Sequence, residues 1–162
     1  MKLYDYKQAP NPRRVRMFMA EKGIEVETVQ IDLMQGEQFS ESFRKINPLC
    51  EVPLLQLDDG RCISQVNAIC LYLEGIYPDK PLFGRNPLER ALVESHNHQI
   101  QLNGILAVAE AFRNSSPKFK NRAITSPHNY AQIPELAERG LVQLDNLFAD
   151  LEAHFANSQY MV

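Results

Sequence analysis

A proline stands where an apolar strand should begin, in Asn47-Pro48-Leu49-Cys50-Glu51-Val52-Pro53-Leu54-Leu55. Proline has no N–H to give to a sheet ladder, so Pro53 belongs at an edge or at a sharp bend. X-Pro bonds are also the one common place for a cis peptide. A cis bond at Val52-Pro53 turns the N–H and C=O of Val52 outward, toward an extended ligand rather than a neighbouring strand. The residues after Pro53 narrow the choice: a strand, the turn Asp58-Asp59-Gly60, a second strand, then Ser64-Gln65 at the opening of a helix.

The rest of the first half fits around that unit. Lys2–Tyr6 reads as a short strand. Asn11-Pro12 starts a helix, with Asn as N-cap and Pro at the first helical position. That helix runs through Val15, Phe18 and Met19 to a glycine stop at Gly23. Residues 26–33 alternate as a strand does. Ser40–Ile46 is a short helix ended by Asn47-Pro48. Residues 52–57 and 61–63 form a hairpin about Asp58-Asp59-Gly60, and Ser64 caps a helix from Gln65 to about Tyr77. The order is βαβαββα, an α/β sandwich with a mixed sheet, over residues 1–77.

After Pro78 the pattern changes. Residues 78–85, with prolines flanking a charged pair, read as a linker, and residues 86–162 as an all-helical domain. Pro87 opens a long helix to about Phe112, with Leu88, Leu92, Leu102, Leu106 and Ala109 on one stripe. His96, Gln99 and Asn103 fall on a second face, either solvated or one polar wall of a cleft. Residues 133–155 form another helix, striped by Leu136, Gly140, Leu144, Leu147, Leu151 and Phe155.

Bulk properties exclude several functions. A length of 162 residues, 44% hydrophobic and 23% charged, suits a globular protein with a real core. Its net charge of −3 gives no case for nucleic acid or an anionic membrane. No apolar run reaches spanning length, and Asp5 stands where a signal peptide needs its apolar region. Three cysteines with no CxxC or zinc spacing suit a reducing cytoplasm. His96 and His98, two apart on a helix, cannot face one metal together, so no metal is expected.

Taken in order and at this spacing, the segments resemble a cytosolic glutathione transferase. They are Met1–Tyr6, Asn11 with Arg13–Arg16, Ala20–Ile24, Lys45–Pro48, Val52–Leu55, Asp58–Gly60, Ile63–Gln65 and Ala68–Glu74. The resemblance implies a thioredoxin-like first domain, an all-α second domain, glutathione as cosubstrate, and a two-fold homodimer. It further implies that glutathione's cysteine lies along Val52 beside cis-Pro53, and that its γ-glutamyl carboxylate meets the helix start at Gln65-Val66. Gln65 fits its family position. Val66 replaces a common Ser, which removes one side-chain hydrogen bond worth about 0.5–1.5 kcal/mol and leaves the backbone N–H. Gln38 matches the position that contacts the glycyl end; on pattern alone it is an exposed polar residue after Gly36.

The family activates the glutathione thiol with a donor at the first strand–helix junction, because a donor to sulfur favours the thiolate. Ala9 occupies the serine-type position. Pro10-Asn11 resembles the nu-class bacterial transferases, which implies a main-chain or asparagine donor and reduction of organic disulfides. Asn11 is therefore the candidate catalytic residue, alongside its reading as a cap; Tyr4 and Tyr6 are alternatives of the tyrosine type. Arg13, Arg14 and Arg16 in the first turns of a helix are solvated or answer an anion such as a substrate carboxylate. Cys50, two residues before Val52, is a candidate for a mixed disulfide with glutathione. The expected function is conjugation of glutathione to small electrophiles, reduction of disulfide substrates, or both; the alternative is a non-catalytic binding or regulatory module. The sequence reaches Val162 where relatives continue into further helices, so the stripe on residues 133–155 is expected to lack its usual partners.

Overall fold

A computed structural model describes the whole protein, Met1–Val162. It divides into two compact units, Met1–Leu82 and Phe83–Val162. The first contains β1 (Lys2–Asp5), α1 (Pro10–Lys22), β2 (Glu27–Gln30), α2 (Glu41–Ile46), β3 (Leu54–Gln56), β4 (Cys62–Ser64) and α3 (Val66–Ile76). Its sheet has the order β2-β1-β3-β4, with β1 parallel to β2 and antiparallel to β3, and β3 antiparallel to β4. This is the expected βαβαββα unit with a mixed sheet, the thioredoxin-like arrangement.

Strand alternation divides the core between the two faces of the sheet. Tyr4 and Leu54, cross-strand partners, are buried with Ile31 and with Phe43 of α2. The Tyr4 and Phe43 rings meet edge-on at 5.7 Å. Leu3 and its partner Leu55 point the other way and are fully buried, as are Val15 of α1 and Ile69 and Leu73 of α3. Each such Leu or Ile contributes roughly 1.5–3 kcal/mol on burial.

The helix ends correct two sequence expectations. Helix α1 begins earlier than expected: Ala9 is the N-cap, and Pro10 and Asn11 are already helical. Pro10 is pre-organised for the first position as well as Pro12 is, so the cap shifts back and Asn11 is not the cap. Likewise Ser64 ends β4, paired with Leu54, and Gln65 takes the cap position of α3. Elsewhere the signals hold. Gly23 ends α1 at φ 68°, with Ile24 N–H donating to Met19 O at 2.8 Å. Ser40 Oγ caps α2 by accepting from Phe43 N–H.

The second unit is all-helical: α4 (Pro87–Ile100), a π-helical stretch (Gln101–Leu106), α5 (Ala107–Ser115) and α6 (Pro134–Phe155). Asn86 caps α4 by accepting from Glu89 N–H at 2.9 Å, and Glu89 accepts from Arg85 N–H at 2.7 Å. The stripe expected on this long helix is not the packed one: Leu88, Leu92, Leu102 and Leu106 are exposed. A π turn carries an extra residue, so a 3.6-residue repeat cannot hold one face through it. Small residues carry the contact instead. A Cβ on Gly140 would meet Ala107 O at 2.6 Å and Ala111 N at 3.0 Å. On α6, Leu136, Leu144, Leu147 and Leu151 are half-buried as expected, whereas Phe155 is exposed. Asn103 Oδ1 accepts from Gln143 Nε2 of α6 at 3.0 Å, so that part of the polar face is an interhelical contact. Gly140→Ala is expected to destabilise the protein by about 1–3 kcal/mol, the cost of overpacking, read as a lower urea midpoint. An unchanged midpoint would show that α5 and α6 part without cost.

Candidate functional site

Sheet register gathers the candidate residues at one end of the first unit. Tyr4 pairs with Leu54 and Leu54 with Ser64, so the exit of β1, the start of β3 and the exit of β4 share an edge. Strand β2 runs parallel to β1 and leaves from the same end. Hence the β1–α1 loop leading to Asn11, the turn holding Gln38, Val52-Pro53, and Gln65-Val66 all open there.

The Val52-Pro53 bond is cis. β3 begins only at Leu54, and no hydrogen bond within the protein engages the N–H or C=O of Val52. The preceding loop is braced by buried Asn47, whose Nδ2 donates to Glu51 O at 2.8 Å and whose Oδ1 accepts from Leu49 N–H at 3.1 Å. Cys50 inside that loop is buried at φ 55°, its thiol directed at Pro48 O. That burial leaves no room for the mixed disulfide considered for it.

At the head of α3, Gln65 adopts φ 73°, and the helix has no cap bond from a side chain. The first backbone N–H groups of α3 have no partner inside the helix. Val66's side chain is buried in the core, so only its N–H faces the site's chemistry. Gln65 Nε2 donates to Glu51 Oε1 at 2.6 Å. Burial pushes the Glu51 carboxyl above its ordinary range, and the bond from Gln65 offsets this only in part.

Asn11 occupies the second position of α1. Its Oδ1 is buried with no hydrogen-bond partner. The prolines at 10 and 12 have no N–H, which leaves that of Asn11 as the free donor at the helix start. Gln38, in the turn Glu37–Phe39, is half-buried rather than exposed, and its Oε1 also lacks a partner. No hydrogen bond joins Asn11 or Gln38 to the Glu51–Gln65 pair.

The tyrosine alternatives are otherwise engaged: Tyr4 donates to Gln56 Oε1 at 3.1 Å and Tyr6 to Gln8 Oε1 at 2.6 Å. Arg16 answers an anion of the protein itself, not a substrate: it pairs with buried Asp5, and its Nη2 donates to Lys7 O at 2.8 Å. Arg14 donates to Asn67 Oδ1 at 3.2 Å. Cys70, buried in α3, has its thiol pushed up to about 11 by burial. No three His, Cys, Asp or Glu side chains lie together to hold a metal ion, and no helix is long and apolar enough to cross a membrane.

Residues 1–75 match the family model "Glutathione S-transferase, N-terminal domain". The fold matches the crystal structure of a glutathione S-transferase domain-containing protein from Marinobacter aquaeolei VT8. That match has a TM-score of 0.89 and 34% identity, covering 99% of this chain and 77% of that one. The chain belongs to the glutathione S-transferase family. Glutathione S-transferase Z1 of Arabidopsis thaliana is 39% identical over 105 residues, 65% of this chain and 47% of that protein. Maleylacetoacetate isomerase of Rattus norvegicus is 35% identical over 134 residues, 78% of this chain and 62% of that protein. The chain thus spans about half to three-fifths of these curated relatives.

Within this glutathione S-transferase fold, three features escape a reading of the sequence. Glu51 draws no attention there, although a charge directly before Val-Pro at the mouth of the site is a visible signal. Asn47 reads only as a helix stop. The Asp5–Arg16 pair joins a strand to a helix eleven residues on, and sequence offers no rule for that pairing.

Proposed function

We propose that the protein is a glutathione-dependent transferase that conjugates glutathione to small electrophiles, reduces organic disulfides, or does both. Glutathione lies extended along Val52 and Pro53, with its γ-glutamyl carboxylate at the N–H groups of Gln65 and Val66 and its glycyl end toward Gln38. The observation that carries this reading is the unpaired main chain of Val52 beside an uncapped helix start. Main-chain groups can pair with an extended peptide, and a helix N-terminus favours an anion. Asn11 supplies the donor to the thiol, through its side-chain amide or its main-chain N–H. The segment Lys7–Arg13 contains no hydroxyl or thiol, which separates this mechanism from the serine and cysteine types. A cytoplasmic homodimer belongs to the same reading, supported by the exposed row Leu88, Leu92, Leu102 and Leu106.

The direct test is retention on immobilised glutathione, followed by parallel assays with an electrophile, a glutathione–organic disulfide and maleylacetoacetate. Turnover of the electrophile, of the disulfide, or of both is the expected result. Retention without any turnover would make the protein a binding module, and failure to bind would sink the reading. Gln65→Ala should weaken glutathione binding more than Gln38→Ala, because Gln65 addresses the end of the tripeptide that carries two charges. Equal or reversed effects in calorimetric titration would mean that the ligand does not lie in the site as placed.

A further inference from the structure

The net charge of −3 is unevenly spread. Residues 111–134 hold Arg113, Lys118, Lys120 and Arg122 and no aspartate or glutamate. They include the whole connection from α5 to α6, residues 116–133, whose only helical piece is the 3-10 turn Pro117–Phe119. Connections of more than about 12–15 residues without secondary structure are uncommon in a compact domain, and an ordered one usually serves a function.

Arginine orders this one. Arg113 Nε donates to Ala123 O at 3.1 Å, and its Nη2 donates to Arg122 O. Arg122 donates in turn to Ser126 O at 2.7 Å and to His128 O at 3.0 Å. The Arg113 guanidinium lies 4.4 Å from the centre of the Phe119 ring, and Phe112 meets that ring edge-on. Carbonyls carry no net charge, so these bonds hold the loop without neutralising it. Glu110, the nearest acid in sequence, is paired with Arg139 at 3.0 Å. Arg113 is half-buried with no carboxylate beside it; burial, and then the Arg122 charge, push its guanidinium below the ordinary value. A desolvated charge next to a like charge is a cost that an anion would remove.

The two carbonyls fill the Nε–Nη2 edge of Arg113. A guanidinium has five N–H groups in a fixed fork, so the Nη1 end remains open to an outside acceptor. The geometry points to Arg113 and Arg122 as an anion site in the α5–α6 loop that takes a phosphate group, with exposed Lys118 and Lys120 on either side of Phe119 adding charge around it. The guanidinium fork matches phosphate oxygens in shape as well as charge. A lone carboxylate would leave the arginine pair half-neutralised, whereas a phosphate monoester brings about two negative charges. The site lies wholly in the second unit, and it does not rest on the glutathione reading.

The experiment titrates pyrophosphate by calorimetry, at low ionic strength, into wild type, Arg113→Lys and the double variant Lys118→Ala with Lys120→Ala. Wild type is expected to bind pyrophosphate at a single site, and glutathione to leave it in place. Arg113→Lys keeps the charge and loses the fork, and should bind about ten-fold more weakly. The double variant alters only exposed side chains. It should weaken binding by a smaller factor and reduce its dependence on salt, a readout that remains should Arg113→Lys fail to fold. Sedimentation with vesicles carrying phosphoinositide headgroups, against phosphatidylcholine vesicles, identifies the source of the phosphate. Protein that pellets with the former alone takes a lipid headgroup, protein that pellets with neither takes a soluble phosphate, and the site stands in both cases. Absence of pyrophosphate binding, equal affinity in all folded variants, or displacement of pyrophosphate by glutathione would overturn the assignment.

Discussion

Asn11→Ala should cut glutathione-dependent turnover by about ten-fold or more, equivalent to about 1.4 kcal/mol of barrier, and leave the melting temperature nearly unchanged. The two halves of that expectation come from different observations. Asn11 is not the cap of α1, since Ala9 holds that position, and its Oδ1 is buried without a partner. Removing an unsatisfied buried acceptor costs the fold little. The loss therefore belongs to chemistry, where a donor aimed at sulfur favours the thiolate.

Asn11→Asp separates side-chain from main-chain donation. An acid in the first turn of α1 is favoured by the helix dipole, and the first turn has no acidic residue of its own. Desolvation opposes that gain, since Asn11 Oδ1 is buried without a partner, so the Asp variant should fold with a melting temperature somewhat below that of wild type; it also sets an anion beside the developing thiolate and should be slower than Asn11→Ala. Stopped-flow or steady-state thiol-transfer rates at neutral pH, with a melting curve for each variant, decide the matter. Full activity in folded Asn11→Asp would leave the main-chain N–H of residue 11 as the donor.

The fold was legible because its signals are local. Gly23, Ser40, the Asp58-Asp59-Gly60 turn and Pro87 each act through their own φ, side-chain acceptor or missing N–H, and each sits where the sequence puts it. The Val52-Pro53 bend was legible for the same reason. The errors arose where two local signals compete or where the repeat changes. Pro10 and Pro12 both suit a helix start, and the protein uses the earlier one. The π stretch at Gln101–Leu106 breaks a stripe that assumes a single period. In the site, the residue types that face glutathione in the family were readable, but the groups that hold or tune them were not. Glu51 reaches Gln65 across fourteen residues, and Asp5 gathers Arg16 and Gln30 from different elements.

That last network supports the largest expected effect on stability. Asp5 is fully buried and accepts from Arg16 and, at 2.6 Å, from Gln30 Nε2. Arg16 also donates to Lys7 O, and Lys7 N–H donates to Gln30 Oε1 at 2.9 Å, so the network pins the loop that leads to Asn11. Arg16→Met should destabilise the protein by about 3–5 kcal/mol, because it strands a buried carboxylate. Asp5→Asn should cost less, about 1–3 kcal/mol, because the amide oxygen still accepts and the half-solvated Arg16 can turn to water. The double variant Asp5→Asn with Arg16→Met should therefore be more stable than Arg16→Met alone, a coupling that denaturant unfolding of the four proteins measures. Had Arg16 served a substrate carboxylate, its loss would spare stability and raise KM. A stable Arg16→Met protein with a high KM would thus move Arg16 out of the scaffold and into the site, where its place in the first turns of the helix had left open a substrate-binding role.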